Sequence, residues 1–499
     1  RKPRSWRKAH RRVYAYLTAS VPYWPEGSEG LLPLYQAVGH GCQAGLHQEA
    51  CVDVYRDRIQ RRGEAYSTKK LGSVAADLGA VACFFDRPWS TAAPSLSEPD
   101  QAWLLNEAAF RLRALGRLQE ALGPMRAGLR MRIEQEKWRN AAAAASNLSE
   151  LELTLGDVAG AVRDAQQSVE LADRSGDAFM KMAMRTTLAD ALHQAGRQGE
   201  ALEQFRQAEA MQAKEQPEYP LLYSLQGFQY CDLLLADAER AAWALSPAPF
   251  QGEGRGEGLS AAPPSPPAPL PEGEGSLLAG CREVEQRATK TLKWAEKNRL
   301  SLLTIALDHL TLGRAALYRA ALSAAAVERS AGSKPAEAEA DVATGSKPTG
   351  CNPWAFGGFF ARPGAGSEVA EILQTARREM AAAVDGLRHA GATHHVPRGL
   401  LSRAWLRGLE GDAPGARADL DEAWQTAERG GMRLFMADVL LHRARLSHAG
   451  PDRPAALADL AAARKIIDQC EYHRRDAELA AAEAALGAKP QAAANGPTG

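Results

Sequence analysis

Aromatic residues are scarce, and long apolar runs are missing. Phe, Trp and Tyr make up 6% of the 499 residues while hydrophobic residues as a whole reach 45%. Much of that apolar content is alanine, which favours closely packed helices over sheets built from β-branched and aromatic residues. The longest apolar stretches, such as Leu78 to Phe85, fall far short of the roughly 18 residues that cross a bilayer, so no transmembrane helix is expected. An excess of either charge is also lacking. Lys and Arg number 60, Asp and Glu number 60, and the formal net charge is +0, which removes any general attraction to nucleic acid or anionic lipid.

Cysteine pairs are absent too. The seven cysteines lie scattered, with no C-x-x-C, as in a reducing compartment and unlike a disulfide framework. The basic start (Arg1, Lys2, Arg4, Arg7, Lys8, Arg11, Arg12) is followed by Val13 to Val21, too short and polar for a signal peptide. A cytoplasmic protein is therefore expected. The first residue is Arg, not Met, which suggests a piece of a longer polypeptide.

What the chain does contain is a repeat. Leu115-Gly116 is followed by Ala121, Met125 and Gly128; Leu155-Gly156 by Ala161, Ala165 and Ser168; Ala195-Gly196 by Ala201, Phe205 and Ala208, each set 40 residues after the last. The frame returns as Ala376, Met380, Ala383, then as Gly411, Ala416, Leu420, Ala423, and last as Gly450, Ala456, Leu460, Ala463, with an early copy at Gly45, Ala50 and Val54. Such periodicity decides the fold before any single element does. Glycine ends one helix in the left-handed conformation, and a small residue five places later lets the next helix lie against it. The following bulky and small residues fall on one face of that second helix. One hairpin cannot bury both its faces, so its neighbours must supply the core.

Gly, Ala, a bulky residue and a small one at these offsets resemble tetratricopeptide repeats, lengthened from their usual period. The longer period is similar to the C-terminal sensor arms of bacterial signal-transduction NTPases of the STAND class. The stretch Trp6 to Ile59, with Ala-His-Arg-Arg-Val-Tyr-Ala-Tyr-Leu and Leu34-Tyr35-Gln36-Ala37-Val38-Gly39-His40-Gly41-Cys42, resembles the segment where such arms begin. The resemblance implies an all-α superhelical solenoid of antiparallel helix hairpins that senses or scaffolds, with its ATPase outside this chain. A stand-alone peptide-sensing regulator and a plain assembly scaffold are the rival readings.

Composition divides the chain further. Residues 1–30 read as a basic lead-in, and 31–245, 278–327 and 368–486 as repeat helices. Between them, 246–277 is rich in Pro, Gly and Glu, 328–367 is of low complexity with Gly-Ser-Lys-Pro twice, and 487–499 forms a polar tail. The first stretch cannot bury enough apolar surface to offset its ordering entropy; disorder is expected for both insertions and the tail, although the run Asn352-Pro353-Trp354-Ala355-Phe356-Gly357-Gly358-Phe359-Phe360 in the second is apolar enough to dock. The two insertions replace turns between paired helices, the first after Leu222, Gly227 and Tyr230 and before Ala288, Leu292 and Ala295, the second between Leu312-Gly313 and Ala376. Around Leu78 to Pro88 no second helix is legible.

A search for chemistry finds little. No Gly-x-x-x-x-Gly-Lys-Ser/Thr run is present, and the glycines at 252–256 sit in an acidic, Pro-rich stretch. His40, Cys42, His47 and Cys51 match no common zinc frame. Adjacent His394 and His395 point in different directions on a helix or turn. No catalytic residue, cofactor or metal is expected, and no enzyme activity. The remaining candidate is the inner face of the first helix of each hairpin, where the frame aligns Asn106, Phe110 and Arg113 with Ser146 and Glu150, and with Thr186, Asp190 and His193. This polar ladder with one aromatic residue suits a protein or extended peptide held in a concave groove. A membrane partner is not expected and nucleic acid is disfavoured. The sequence names no small molecule.

Overall fold

The computed structural model describes residues 4–245, 274–332, 367–391, 393–447 and 453–486. These residues are mostly helical, with one short β-hairpin among them. Most of the first insertion, most of the second, the tail and the Gly450 turn lie outside the described residues. The helices reach slightly into the expected insertions, one beginning at Glu274 and another running to Gly332.

The chain divides into two compact units, Arg1–Ala191 with Gly391–His394 and Arg429–Met432, and Leu192–Ala390 with His395–Glu428 and Arg433–Gly499. The first unit contains α1 (Arg4–Ala19), α2 (Gly27–Ala44), α3 (His47–Glu49), α4 (Val74–Ala82), β1 (Phe85–Arg87), β2 (Thr91–Ala92), α5 (Glu98–Ala114), α6 (Leu118–Glu134), α7 (Trp138–Leu155), α8 (Val158–Ser175) and most of α9 (Ala178–Gln194). The second contains α10 (Gln198–Glu215), α11 (Ser224–Leu234), α12 (Ala236–Leu245), α13 (Glu274–Lys297), α14 (Leu302–Gly332), α15 (Ser367–His389), α16 (Val396–Glu410), most of α17 (Ala413–Gly430), α18 (Arg433–Ser447), α19 (Arg453–Cys470) and α20 (Asp476–Leu486).

The forty-residue frame is visible in the burial. Ala121, Ala161, Ala201, Ala376, Ala416 and Ala456 are all 0% exposed. The residues four further on (Met125, Ala165, Phe205, Met380, Leu420, Leu460) and the small ones after them are buried as well. Serine at 149 shows how close the helices lie, since its Oγ donates to the Ala161 carbonyl at 2.8 Å, from α7 to α8. At the turn between them Gly156 takes φ 91°, and its N–H and that of Asp157 close onto the carbonyls of Leu153 (3.0 Å) and Glu152 (2.9 Å). Asp157 then caps α8 by accepting from the Gly160 N–H at 2.8 Å. The Gly411-Asp412 turn repeats this, with φ 88° and a 2.9 Å cap at Gly415.

Three departures have physical causes. Leu312-Gly313 falls inside α14 and ends nothing. Gly313 there lets α14 and α15 approach closely, since a Cβ would sit 3.0 Å from the Met380 side chain. On α13, Ala288 and Ala295 are buried but Leu292 is half-buried, with Thr291 turned inward in its place. Around residues 50–92 the hairpin pattern gives way to two π-helical segments, Ala50–Ile59 and Tyr66–Lys70, and then to the β1–β2 hairpin. A polar knot holds this region. Asp77, fully buried, accepts from Tyr55 (2.8 Å), Ser67 (2.8 Å) and Gln60 (2.9 Å), and pairs with Arg111. A repeat core of alanines cannot supply such a centre, so the segment leaves the frame.

Candidate partner-binding face

In the first unit α5 and α7 each present part of the stripe at the surface. On α5, Phe110 is 55% exposed, with Asn106 and Arg113 half-buried beside it. Asn147 on α7 is exposed, and Glu150 and Thr154 are half-buried. Arg113 donates to Glu150 at 2.7 Å and ties the two helices together. The result is an exposed ring among amides, a hydroxyl and a neutralised ion pair. Such a surface can hydrogen-bond an extended backbone while the ring takes an apolar side chain. Asn147 and Thr154 escaped the sequence reading, although they lie one helical turn from Glu150 and share its face.

The stripe does not continue as expected. Ser146 is buried, sharing a 2.8 Å hydrogen bond with Thr187. Thr186 is 1% exposed and donates to the Ala183 carbonyl at 2.7 Å. Asp190 is buried, and His193 is 0% exposed. These four side chains belong to the interior, so the open face comprises α5 and α7 alone. The frame carried no information on which helices are covered on both sides.

His193 lies at the edge of a charge cluster in the second unit that no motif in the sequence marks. Asp232 on α11 and Glu239 on α12 face three arginines. Arg314 on α14 pairs with Asp232 and reaches Glu239 at 3.2 Å. Arg474 bonds Asp232 at 2.5 Å and Glu239 at 3.0 Å. Arg475 bonds Glu239 at 3.0 Å, Asp438 at 2.9 Å and Glu478 at 3.1 Å. The last two arginines occupy one 3-10 turn, His473–Arg475, between α19 and α20. Through it the C-terminal hairpin closes onto α11 and α12, and Gly196 leaves room for the turn, since a Cβ there would lie 2.8 Å from the His473 Cβ.

The surrounding guanidinium groups outweigh burial and hold the Asp232 and Glu239 carboxyls well below the usual carboxylate range. Carboxylates clamped in this way are poor proton carriers at neutral pH. Burial, and the nearby Arg474, lower the His193 imidazole to about 3, and its Nδ1 stands 3.8 Å from Asp232.

Other singled-out residues are dispersed. His40 Nδ1 meets His10 Nδ1 at 2.8 Å, and His47 bonds Ser95 at 3.0 Å. Cys42 and Cys51 are buried thiols whose ionisation burial pushes up, Cys51 to about 12. Among the described residues no three His, Cys, Asp or Glu side chains gather as metal ligands, and no helix is long and apolar enough to cross a membrane. The sequence matches no protein-family model and no curated protein.

Proposed function

We propose that the chain is a non-catalytic recognition solenoid of tetratricopeptide-like hairpins, serving as the sensor or scaffold arm of a bacterial signalling NTPase whose ATPase module is outside it. The observation that carries this reading is Phe110, a large ring 55% exposed at the centre of a polar stripe already fixed by the Arg113–Glu150 bond. An aromatic anchor on a rigid helix loses little entropy when a partner covers it. The Asn106 and Asn147 amides offer donors and acceptors to a peptide backbone on either side. Partner binding then biases whatever module the arm adjoins, by as much as its affinity differs between that module's states.

Co-purification from the source cell tests the reading, comparing wild type with Phe110→Ala/Asn147→Ala. Both side chains are exposed, so far-UV circular dichroism and melting should stay as in the wild type. Loss of a central aromatic anchor costs about 2 kcal/mol or more, roughly thirtyfold in affinity, and the specific partner should drop out. An unchanged partner set would refute the assignment of this face.

A further inference from the structure

The N-terminal helix of the first unit has two exposed faces of different chemistry. α1 carries Arg4, Arg7, Lys8, Arg11 and Arg12 and no acidic residue. All five cations are exposed, and none pairs with a carboxylate of the described residues. At 100° per residue they fall on one side of the helix, within about 12 Å of axis. The helix is seated by a different stripe, His10, Tyr14 and Leu17, with Tyr14 and Leu17 packed against the core next to α2.

Beside the basic face lies an apolar one that nothing in the first unit covers. Trp6 is 47% exposed, Val13 38% and Tyr16 72%. The Trp6 ring lies tilted against His10, centroids 4.5 Å apart, and the His10 ring in turn lies 4.8 Å from that of His40. Tyr23, Trp24 and Leu32, close by in sequence, are exposed as well. Among the described residues, six of the ten exposed large hydrophobic side chains fall in the first 32 residues, and Trp6, Val13 and Tyr16 share a face of α1, a local concentration beyond the scatter normal on a protein exterior.

We propose that α1 docks on an anionic phospholipid surface. A helix with a dense Lys/Arg face, Trp and Tyr on the neighbouring face and low overall hydrophobicity lies in the plane of a bilayer interface, with its rings at headgroup level and its cations on the phosphates. The apolar face selects among polyanions, since Val13, between Trp6 and Tyr16 on that face, would find no apolar partner along a nucleic-acid phosphate backbone, whereas the acyl boundary takes it. Whole-chain charge balance does not oppose this, because lipid charge acts only within a Debye length of about 8 Å and so senses α1 itself. The inference is independent of the α5–α7 face.

Sedimentation with vesicles tests it, using the full chain with large unilamellar vesicles of equal phosphatidylcholine and phosphatidylserine, or of phosphatidylcholine alone. Binding is expected on the phosphatidylserine vesicles at low salt, falling away at high salt and on phosphatidylcholine. Arg7→Glu/Arg11→Glu should lower the bound fraction by well over tenfold, since each cation near such a surface contributes roughly fivefold. Trp6→Ala/Tyr16→Ala should lower it by about tenfold with charge unchanged. Both variants should keep the wild-type circular dichroism spectrum. No binding to phosphatidylserine vesicles, equal binding to both kinds, or wild-type binding by either variant would overturn the proposal. Preference for a single-stranded oligonucleotide over the vesicles, insensitive to Trp6→Ala/Tyr16→Ala, would overturn it in favour of nucleic acid.

Discussion

Arg474→Met removes the guanidinium that joins the C-terminal turn to α11 and α12. In the folded protein Arg474 donates to Asp232 at 2.5 and 3.2 Å, to Glu239 at 3.0 Å and to Gln194 at 3.4 Å, and is 9% exposed. Methionine fills much of its volume but satisfies none of these oxygens. Asp232 and Glu239 stay buried with one fewer cation each, and the loss of one partner from a buried ion network costs about 3–5 kcal/mol. Arg314 and Arg475 still pair with the two carboxylates, which places the expected value near the lower end. Urea unfolding followed by far-UV circular dichroism should show this as a lower midpoint. In a double-mutant cycle with Asp232→Asn the two losses should be strongly non-additive, by about 1 kcal/mol or more. The pH dependence has a defined sign. Both carboxyls titrate below their unfolded values of about 4, so their stabilisation is complete above that pH and is lost as pH falls through the depressed folded values. The Arg474→Met deficit should therefore be constant from neutral pH down to about 4 and shrink only in stronger acid. A loss under about 1 kcal/mol, or strict additivity with Asp232→Asn, would refute the claim that this network locks the hairpin in place.

Overpacking of the frame is a second test. Ala161→Phe should destabilise by about 1–3 kcal/mol, because α7 and α8 touch there, while Gln166→Phe on the exposed side of α8 should stay within about 0.5 kcal/mol; equal tolerance in chemical unfolding would break the assigned frame. Asp308 gives the opposite pH slope to the arginine network. It is buried, accepts from Thr291 at 2.7 Å through one oxygen, and has its carboxyl pushed up to about 7 by burial. Its folded value lies above its unfolded one, so its contribution is full below about 4 and is lost as pH rises through 7. Asp308→Asn should match wild type or fall below it at pH 4 and exceed it by about 1–3 kcal/mol at pH 8; a difference independent of pH would sink this account.

The sequence by itself determined the helical hairpins and their spacing. Glycine at 156 or 411, followed by alanine five residues later, leaves few options, because the left-handed turn and the close helix contact are local demands that a short segment fulfils wherever it sits. The same reasoning placed Asn106, Phe110 and Arg113 on one face of α5. Local periodicity could not say whether a face is open. Asn106 and Thr186 occupy related positions, yet one is half-buried and the other 1% exposed, a difference that depends on which helices return to cover them. Nor could it find the charge cluster, whose members lie as far apart as Gln194 and Arg474 and are assembled by the closure of the C-terminal hairpin onto α11 and α12. In the sequence Arg474-Arg475 lies within the stretch 368–486 read as repeat helices, with nothing to mark it. Tertiary structure alone turns it into the centre of a buried network, because a charge is stabilised by whatever stands a few ångströms away, and that distance is set by packing.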